Sequence, residues 1–106
     1  MVTACNNPVQ EGMAVHTNSP RARSTRRINV ELILSQHDCK CATCVRSGNC
    51  ELQKLSHDLN IHYQPYDVQP ERSRIDLSVP IVREASKCIK CGSCYEKCRF
   101  GAVIRG

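Results

Sequence analysis

Apolar residues recur at helical spacing in the first third of the chain. Ser19 and Pro20 form a typical helix start, because the serine hydroxyl can accept a backbone N–H and proline fits the first helical turn. The pattern continues to about Ser35 and predicts one helix. Its apolar face contains Ile28 and Leu32 and is broadened by Val30, Ile33 and Leu34. We expect this helix to end just before His37.

A second apolar stripe follows Cys50. Leu52, Leu55 and Leu59 lie three or four residues apart, which is typical of the buried face of a helix. We expect this second helix to begin at Cys50 and to pack against the first.

The rest of the chain is expected to be extended apart from one short helix. Prolines interrupt residues 61–86, where a short strand fits within 76–83. We expect a helix near 93–98 and a terminal strand over 102–104. Together these elements predict a small α+β fold.

The cysteine content changes this picture. Nine cysteines in 106 residues are typical of a disulfide scaffold or a metal protein. Eight of them fall into two tight groups, the total is odd, and the N-terminus lacks a secretory signal. We therefore expect reduced thiols that bind metal, in the cytoplasm. With one Phe, three Tyr and no Trp, the chain has little to build a core from, so metal would also stabilise it.

The net charge of +5 does not by itself predict a nucleic-acid partner. Positive residues are most concentrated on the first predicted helix, which contains Arg21, Arg23, Arg26 and Arg27. No aromatic side chains accompany that charge to stack on bases, so we expect no nucleic-acid binding. No apolar run approaches the ~18 residues that span a bilayer, so we expect no membrane insertion.

The last four cysteines follow the pattern C-x2-C-x2-C-x3-C. They are Cys88, Cys91, Cys94 and Cys98. This is the bacterial ferredoxin spacing for a [4Fe–4S] cluster, whereas structural zinc typically uses two C-x2-C pairs separated by a longer loop. In two-cluster ferredoxins the fourth cysteine of such a run ligates the other cluster. Either Cys98 completes this cluster, or the fourth ligand comes from elsewhere.

The central group of soft ligands is less diagnostic by its spacing. One possible ligand set is His37, Cys41, Cys44 and Cys50. A second set replaces His37 by Cys39, and a Cys/His zinc site is a third interpretation. A histidine ligand carries one negative charge fewer than a thiolate, and it therefore raises the reduction potential of a cluster.

At these residues the chain resembles a known family, the N-terminal iron–sulfur region of the large subunit of NADH:quinone oxidoreductase (complex I). The same region occurs in iron-only hydrogenases and NAD-linked formate dehydrogenases. The pattern H-x3-C-x2-C-x5-C, continued by Glu51-Leu52-Gln53, is similar to the His(Cys)3 motif of this family. Lys87-Cys88-Ile89 is similar to the segment that leads into its ferredoxin-like domain.

The resemblance covers the chain from Ala4 to about Cys98 and implies two [4Fe–4S] clusters. The first would be ligated by His37, Cys41, Cys44 and Cys50, and the second by Cys88, Cys91, Cys94 and Cys98. Cys39 falls where the family has no ligand and would be a spare thiol. Cys5 resembles the last ligand of the family's [2Fe–2S] domain. The other three ligands have no counterpart here, so we expect no [2Fe–2S] cluster in this chain alone.

The resemblance also implies an organisation in four parts. Residues 1–18 would be a remnant of the [2Fe–2S] domain, 19–62 the His(Cys)3 domain, 63–86 a linker, and 87–106 the ferredoxin-type segment. The fold would be a small, iron–sulfur-stapled α+β structure, with two short helices around the first cluster and a ferredoxin-like half-repeat after them.

In function, the resemblance implies an electron-transfer module. It would relay electrons between an NADH-oxidising flavoprotein subunit and a redox catalytic subunit. No G-x-G-x-x-G unit or acid–base constellation is present, so we expect neither NADH binding nor a catalytic site in this chain. The alternative function is that of a structural zinc-binding adaptor.

Overall fold

The longest element is the helix α1, which spans Pro20–Ser35. The computed structural model describes residues 2–66, 68, 77–78 and 80–104. Ser19 caps α1 as predicted, since its Oγ accepts the N–H of Ala22 at 3.2 Å and Pro20 occupies the first turn. At the other end, the N–H of His37 bonds to the carbonyl of Leu34 at 3.1 Å. The helix therefore delivers His37 directly into the loop that follows.

The buried face of α1 agrees with the prediction only in part, at Val30. Ile28 and Leu32 remain nearly half exposed, whereas Val30, Glu31 and Ser35 are buried. Glu31 tolerates burial because its carboxylate accepts a hydrogen bond from Arg27 Nε at 2.8 Å, one helical turn away. The spacing of apolar residues along the helix did not predict that Glu31, paired with Arg27, would face inward.

The second helix, α2, spans Glu51–Asp58 with Cys50 at its N-cap, as predicted. It packs against α1, and Leu52 is its buried side chain. A further contact reaches α1 from beyond α2, because Gln64 Nε2 donates to the carbonyl of Glu31 at 3.1 Å. The predicted pairing of the two helices is thus confirmed.

The third helix, α3, spans Ser93–Lys97 and starts after Gly92, whose φ of 79° is left-handed. Short 3₁₀ turns occur at Ala4–Asn6, Cys41–Thr43 and Ala85–Lys87. No strand occurs among the described residues, so the α+β expectation is wrong for them and this part of the chain is helical.

Both predicted strands are affected by this correction. Residues 102–104 form no ladder, and backbone N–H groups of this tail point to the sulfur of Cys98 instead. In the strand predicted within 76–83, the described residues are irregular, and residues 76 and 79 lie outside the described part of the chain.

Apolar burial is slight throughout the described residues. Val30 and Leu52 are the buried apolar side chains there, and none of the described side chains is completely buried. A chain with so little core needs other bonds to hold its loops in place. Among the described residues, no helix is long and apolar enough to cross a membrane.

Candidate metal centres

Successive tight turns form the central loop between α1 and α2. The N–H of Cys44 bonds to the carbonyl of Cys41, and that of Ser47 bonds to the carbonyl of Cys44. Gly48 then turns the backbone with a φ of 78°, and its N–H donates to Gln53 Oε1 of α2 at 3.0 Å. These bonds return the chain to Cys50 at the start of α2.

All four residues of the first predicted ligand set line one cavity of about 530 Å³. They are His37, Cys41, Cys44 and Cys50. The apolar side chains of Leu34, Leu52 and Ile61 form part of its wall. Cys39 lines the same cavity, so the cavity alone does not separate the two ligand sets.

His37 has the feature that most directly indicates a missing bond. Its Nδ1 is shielded from solvent and has no hydrogen-bond partner in the part of the chain that the structure describes. An unpaired buried ring nitrogen costs about 1–3 kcal/mol. A metal bound in this cavity would bring a bonding partner to this imidazole or fix its orientation, so the residues present fit an iron–sulfur cluster.

Burial and neighbouring charges shift the pKa values of Cys39 and Asp38 in this loop. Desolvation, followed by the neighbouring Cys41 and Asp38, raises the pKa of the Cys39 thiol. The hydrogen bond from Lys40 lowers the pKa of the Asp38 carboxyl, and the charges of Lys40, Lys87 and His37 lower it further. Cys39 is thus held as a neutral thiol beside an ionised carboxylate.

The C-terminal run is more open. Cys88, Cys91 and Cys94 are exposed, and Cys98 is half-buried. Cys91 Sγ is hydrogen-bonded to Ser93 Oγ at 3.3 Å, and the Ser93 hydroxyl and N–H lower the pKa of this thiol. Thiolate, rather than thiol, is the form that binds iron.

Cys98 lies in a nest of backbone donors. The N–H groups of Val103 and Phe100, and then those of Ala102 and Gly101, lower the pKa of its thiol. Such N–H bonds to sulfur stabilise thiolate ligands and tune cluster potentials. The sequence pattern did not reveal this role of the tail, because backbone donors leave no signature in residue types.

Gly92 suits the turn between Cys91 and Cys94 because its backbone has a left-handed φ of 79°, which residues with a side chain rarely adopt. A Cβ at this position would also lie 2.6 Å from the hydroxyl oxygen of Tyr95 and 2.8 Å from its Cζ, because the tyrosine of α3 lies over the glycine. A larger residue at position 92 would therefore strain the backbone and displace the Tyr95 side chain.

No three His, Cys, Asp or Glu side chains in the described ranges converge closely enough to bind a single metal ion. Zinc needs its ligands around one atom at 2.0–2.3 Å, whereas a cubane cluster takes one ligand at each of four irons. All nine cysteines are free thiols, and Cys5 is exposed on the 3₁₀ turn Ala4–Asn6, away from both groups in sequence.

Two family models match the chain. Residues 26–65, which contain the central loop, match the NADH-ubiquinone oxidoreductase-G iron-sulfur binding region. Residues 81–104, which contain the C-terminal run, match the 4Fe-4S binding domain. Cys5 lies outside both matches.

Similar proteins include hydrogenases and an NADH oxidoreductase. The NADP-reducing hydrogenase subunit HndD of Solidesulfovibrio fructosivorans is 40% identical over 99 residues, covering 92% of this chain and 17% of that protein. The mitochondrial NADH-ubiquinone oxidoreductase 78 kDa subunit of Candida albicans is 31% identical over 97 residues, covering 89% of this chain and 14% of that protein. Iron hydrogenase 1 of Clostridium pasteurianum is 29% identical over 100 residues, covering 92% of this chain and 17% of that protein.

The chain spans less than a fifth of the length of these relatives. Both of its cysteine groups nevertheless fall within matched iron–sulfur segments. By these matches, the chain belongs to the family of iron–sulfur electron-transfer regions found in NADH-linked oxidoreductases, which includes those of NADH-quinone oxidoreductases and iron hydrogenases.

Proposed function

We propose that this chain is an electron-relay module carrying two [4Fe–4S] clusters. The observation that carries the proposal is the central cavity, which His37, Cys41, Cys44 and Cys50 all line and where the buried Nδ1 of His37 lacks a partner among the described residues. These four residues would hold the first cluster, and Cys39 would remain a free thiol.

The second cluster would be held by Cys88, Cys91, Cys94 and Cys98. Its support is the ferredoxin spacing, the match over residues 81–104, and the donors that favour thiolate at Cys91 and Cys98. In this proposal Cys98 completes the same cluster. Residues 19–62 and 87–106 would then be the two cluster domains, joined by residues 63–86.

Each cluster, when bound, accepts and releases one electron. The chain's own residues would set how readily this happens. The neutral imidazole of His37 would raise the potential of the first cluster, and the N–H donors around Cys98 would stabilise the charge of the second. The apolar wall of Leu34, Leu52 and Ile61 would limit the access of water to the first.

The partners in this proposal are a flavoprotein subunit that oxidises NADH and a redox catalytic subunit. Relatives of this chain are named as subunits of NADP-reducing hydrogenase and NADH-ubiquinone oxidoreductase, which supports the proposal of such partners. We further propose that the relay works in the cytoplasm, where free thiols persist.

Elemental analysis of anaerobically prepared protein tests the proposal. We expect about eight irons and about eight sulfides per chain, since each [4Fe–4S] cluster contains four of each. A protein with two zinc ions and no sulfide would instead be the structural zinc adaptor, and the relay function would be wrong.

A further inference from the structure

A hydrogen bond between backbone groups links the segments that carry the two cysteine groups. The N–H of Asp38, next to His37, donates to the carbonyl of Ser86 at 3.0 Å. Ser86 lies in the 3₁₀ turn Ala85–Lys87, which leads straight into Cys88. One hydrogen bond thus connects a residue adjacent to the first group with a residue two positions before the second.

Charged side chains surround this contact. Asp38 Oδ2 pairs with Lys40 Nζ at 2.8 Å, and Lys87 Nζ pairs with Glu84 Oε2 at 3.3 Å. The side chains of Asp38 and Lys87 are only 22% and 27% exposed, so solvent and salt screen their fields less than those of surface charges. Lys87 also acts on the Asp38 carboxylate across the contact.

A shared cavity agrees with this arrangement. Leu32 and Ile33 of α1 line a cavity together with Cys88 and Ile89. The start of the C-terminal run therefore faces the helix that delivers His37. The hydrogen bond from Asp38 to Ser86 and this shared cavity both place the second group beside the first.

We propose that the contact formed by Asp38, Lys40, Glu84, Ser86 and Lys87, here called the junction, couples the two clusters. It fixes their separation, and the charges of Asp38 and Lys87 act on both potentials together. The inference rests on the proposed function. With both clusters bound, the junction would hold their ligand loops in place while one electron passes between them, so that one cluster would be oxidised and the other reduced, with no bond or proton exchanged.

Redox titration of the iron-loaded full chain, followed by EPR, tests the coupling. Asp38→Asn removes a negative charge, so adding an electron becomes easier and both midpoint potentials should rise. Lys87→Gln removes a positive charge, so both should fall. The double variant should lie between the two single variants, because the two charge changes oppose each other.

Arg21→Gln is the matched control for the loss of a positive charge. Arg21 lies at the far end of α1, about 21 Å along the helix axis from Ser35 and beyond the ~8–10 Å Debye length. It should shift neither potential. The coupling would be wrong if each junction variant moved only the potential of its own cluster, or moved neither, in protein with both EPR signals. Wild-type protein that lacks iron and sulfide would overturn the proposed function itself.

Discussion

At the scale of single residues, the proposal chooses His37 over Cys39 among the ligand sets that the spacing leaves open. Both His37 and Cys39 line the central cavity, but their surroundings differ. His37 presents a buried Nδ1 without a partner among the described residues, whereas the Cys39 thiol has a raised pKa caused by desolvation, Cys41 and Asp38. These differences support the proposal that His37 is the ligand and Cys39 the spare thiol.

Three substitutions test this assignment. His37→Ala should remove about half of the bound iron, because one of two clusters loses a ligand. His37→Cys should keep the iron but lower the potential of the first cluster, because a thiolate adds negative charge. Iron analysis and EPR redox titration measure both effects. Cys39→Ser is the control and should change neither; loss of the first cluster in this variant would show that Cys39 is the ligand.

At the scale of elements, the sequence predicted the helices well and their packing less well. The Ser19 cap, the end of α1 before His37 and the start of α2 at Cys50 were predictable, because capping and cluster spacing are local properties. The inward-facing Glu31 was not, since it is paired with Arg27 and its carbonyl accepts a hydrogen bond from Gln64, 33 residues away in the sequence. The strand predicted over 102–104 was wrong because these residues pair with no other strand among the described residues, and the N–H groups of Ala102 and Val103 instead lower the pKa of the Cys98 thiol.

The cap of α1 gives a prediction at this scale. Ser19→Ala removes the acceptor for the Ala22 N–H and should lower the free energy of unfolding by about 1 kcal/mol. Denaturant unfolding of the loaded protein, followed by circular dichroism, measures the loss. Ser24→Ala, in the middle of the same helix, should leave stability unchanged or raise it slightly, because alanine is the better helix former. Equal losses in the two variants would mean that the cap contributes nothing.

At the scale of the whole molecule, we propose that clusters bound by the cysteine groups take the place of a hydrophobic core. In the described residues apolar burial is confined to Val30 and Leu52, which is too little to order loops that are rich in turns. The ligand bonds of two clusters would supply the missing constraint. The turns of the central loop, the N–H nest at Cys98 and the contact between Asp38 and Ser86 all lie where those bonds would form.

The spin count of the reduced protein tests most directly whether this chain carries two clusters. We expect the iron-loaded chain, fully reduced under anaerobic conditions, to show about two unpaired spins per chain by EPR, one from each [4Fe–4S] cluster. A count of about one spin would contradict the account, because only one cysteine group would then hold a cluster. A protein without an EPR signal after full reduction would contradict it entirely.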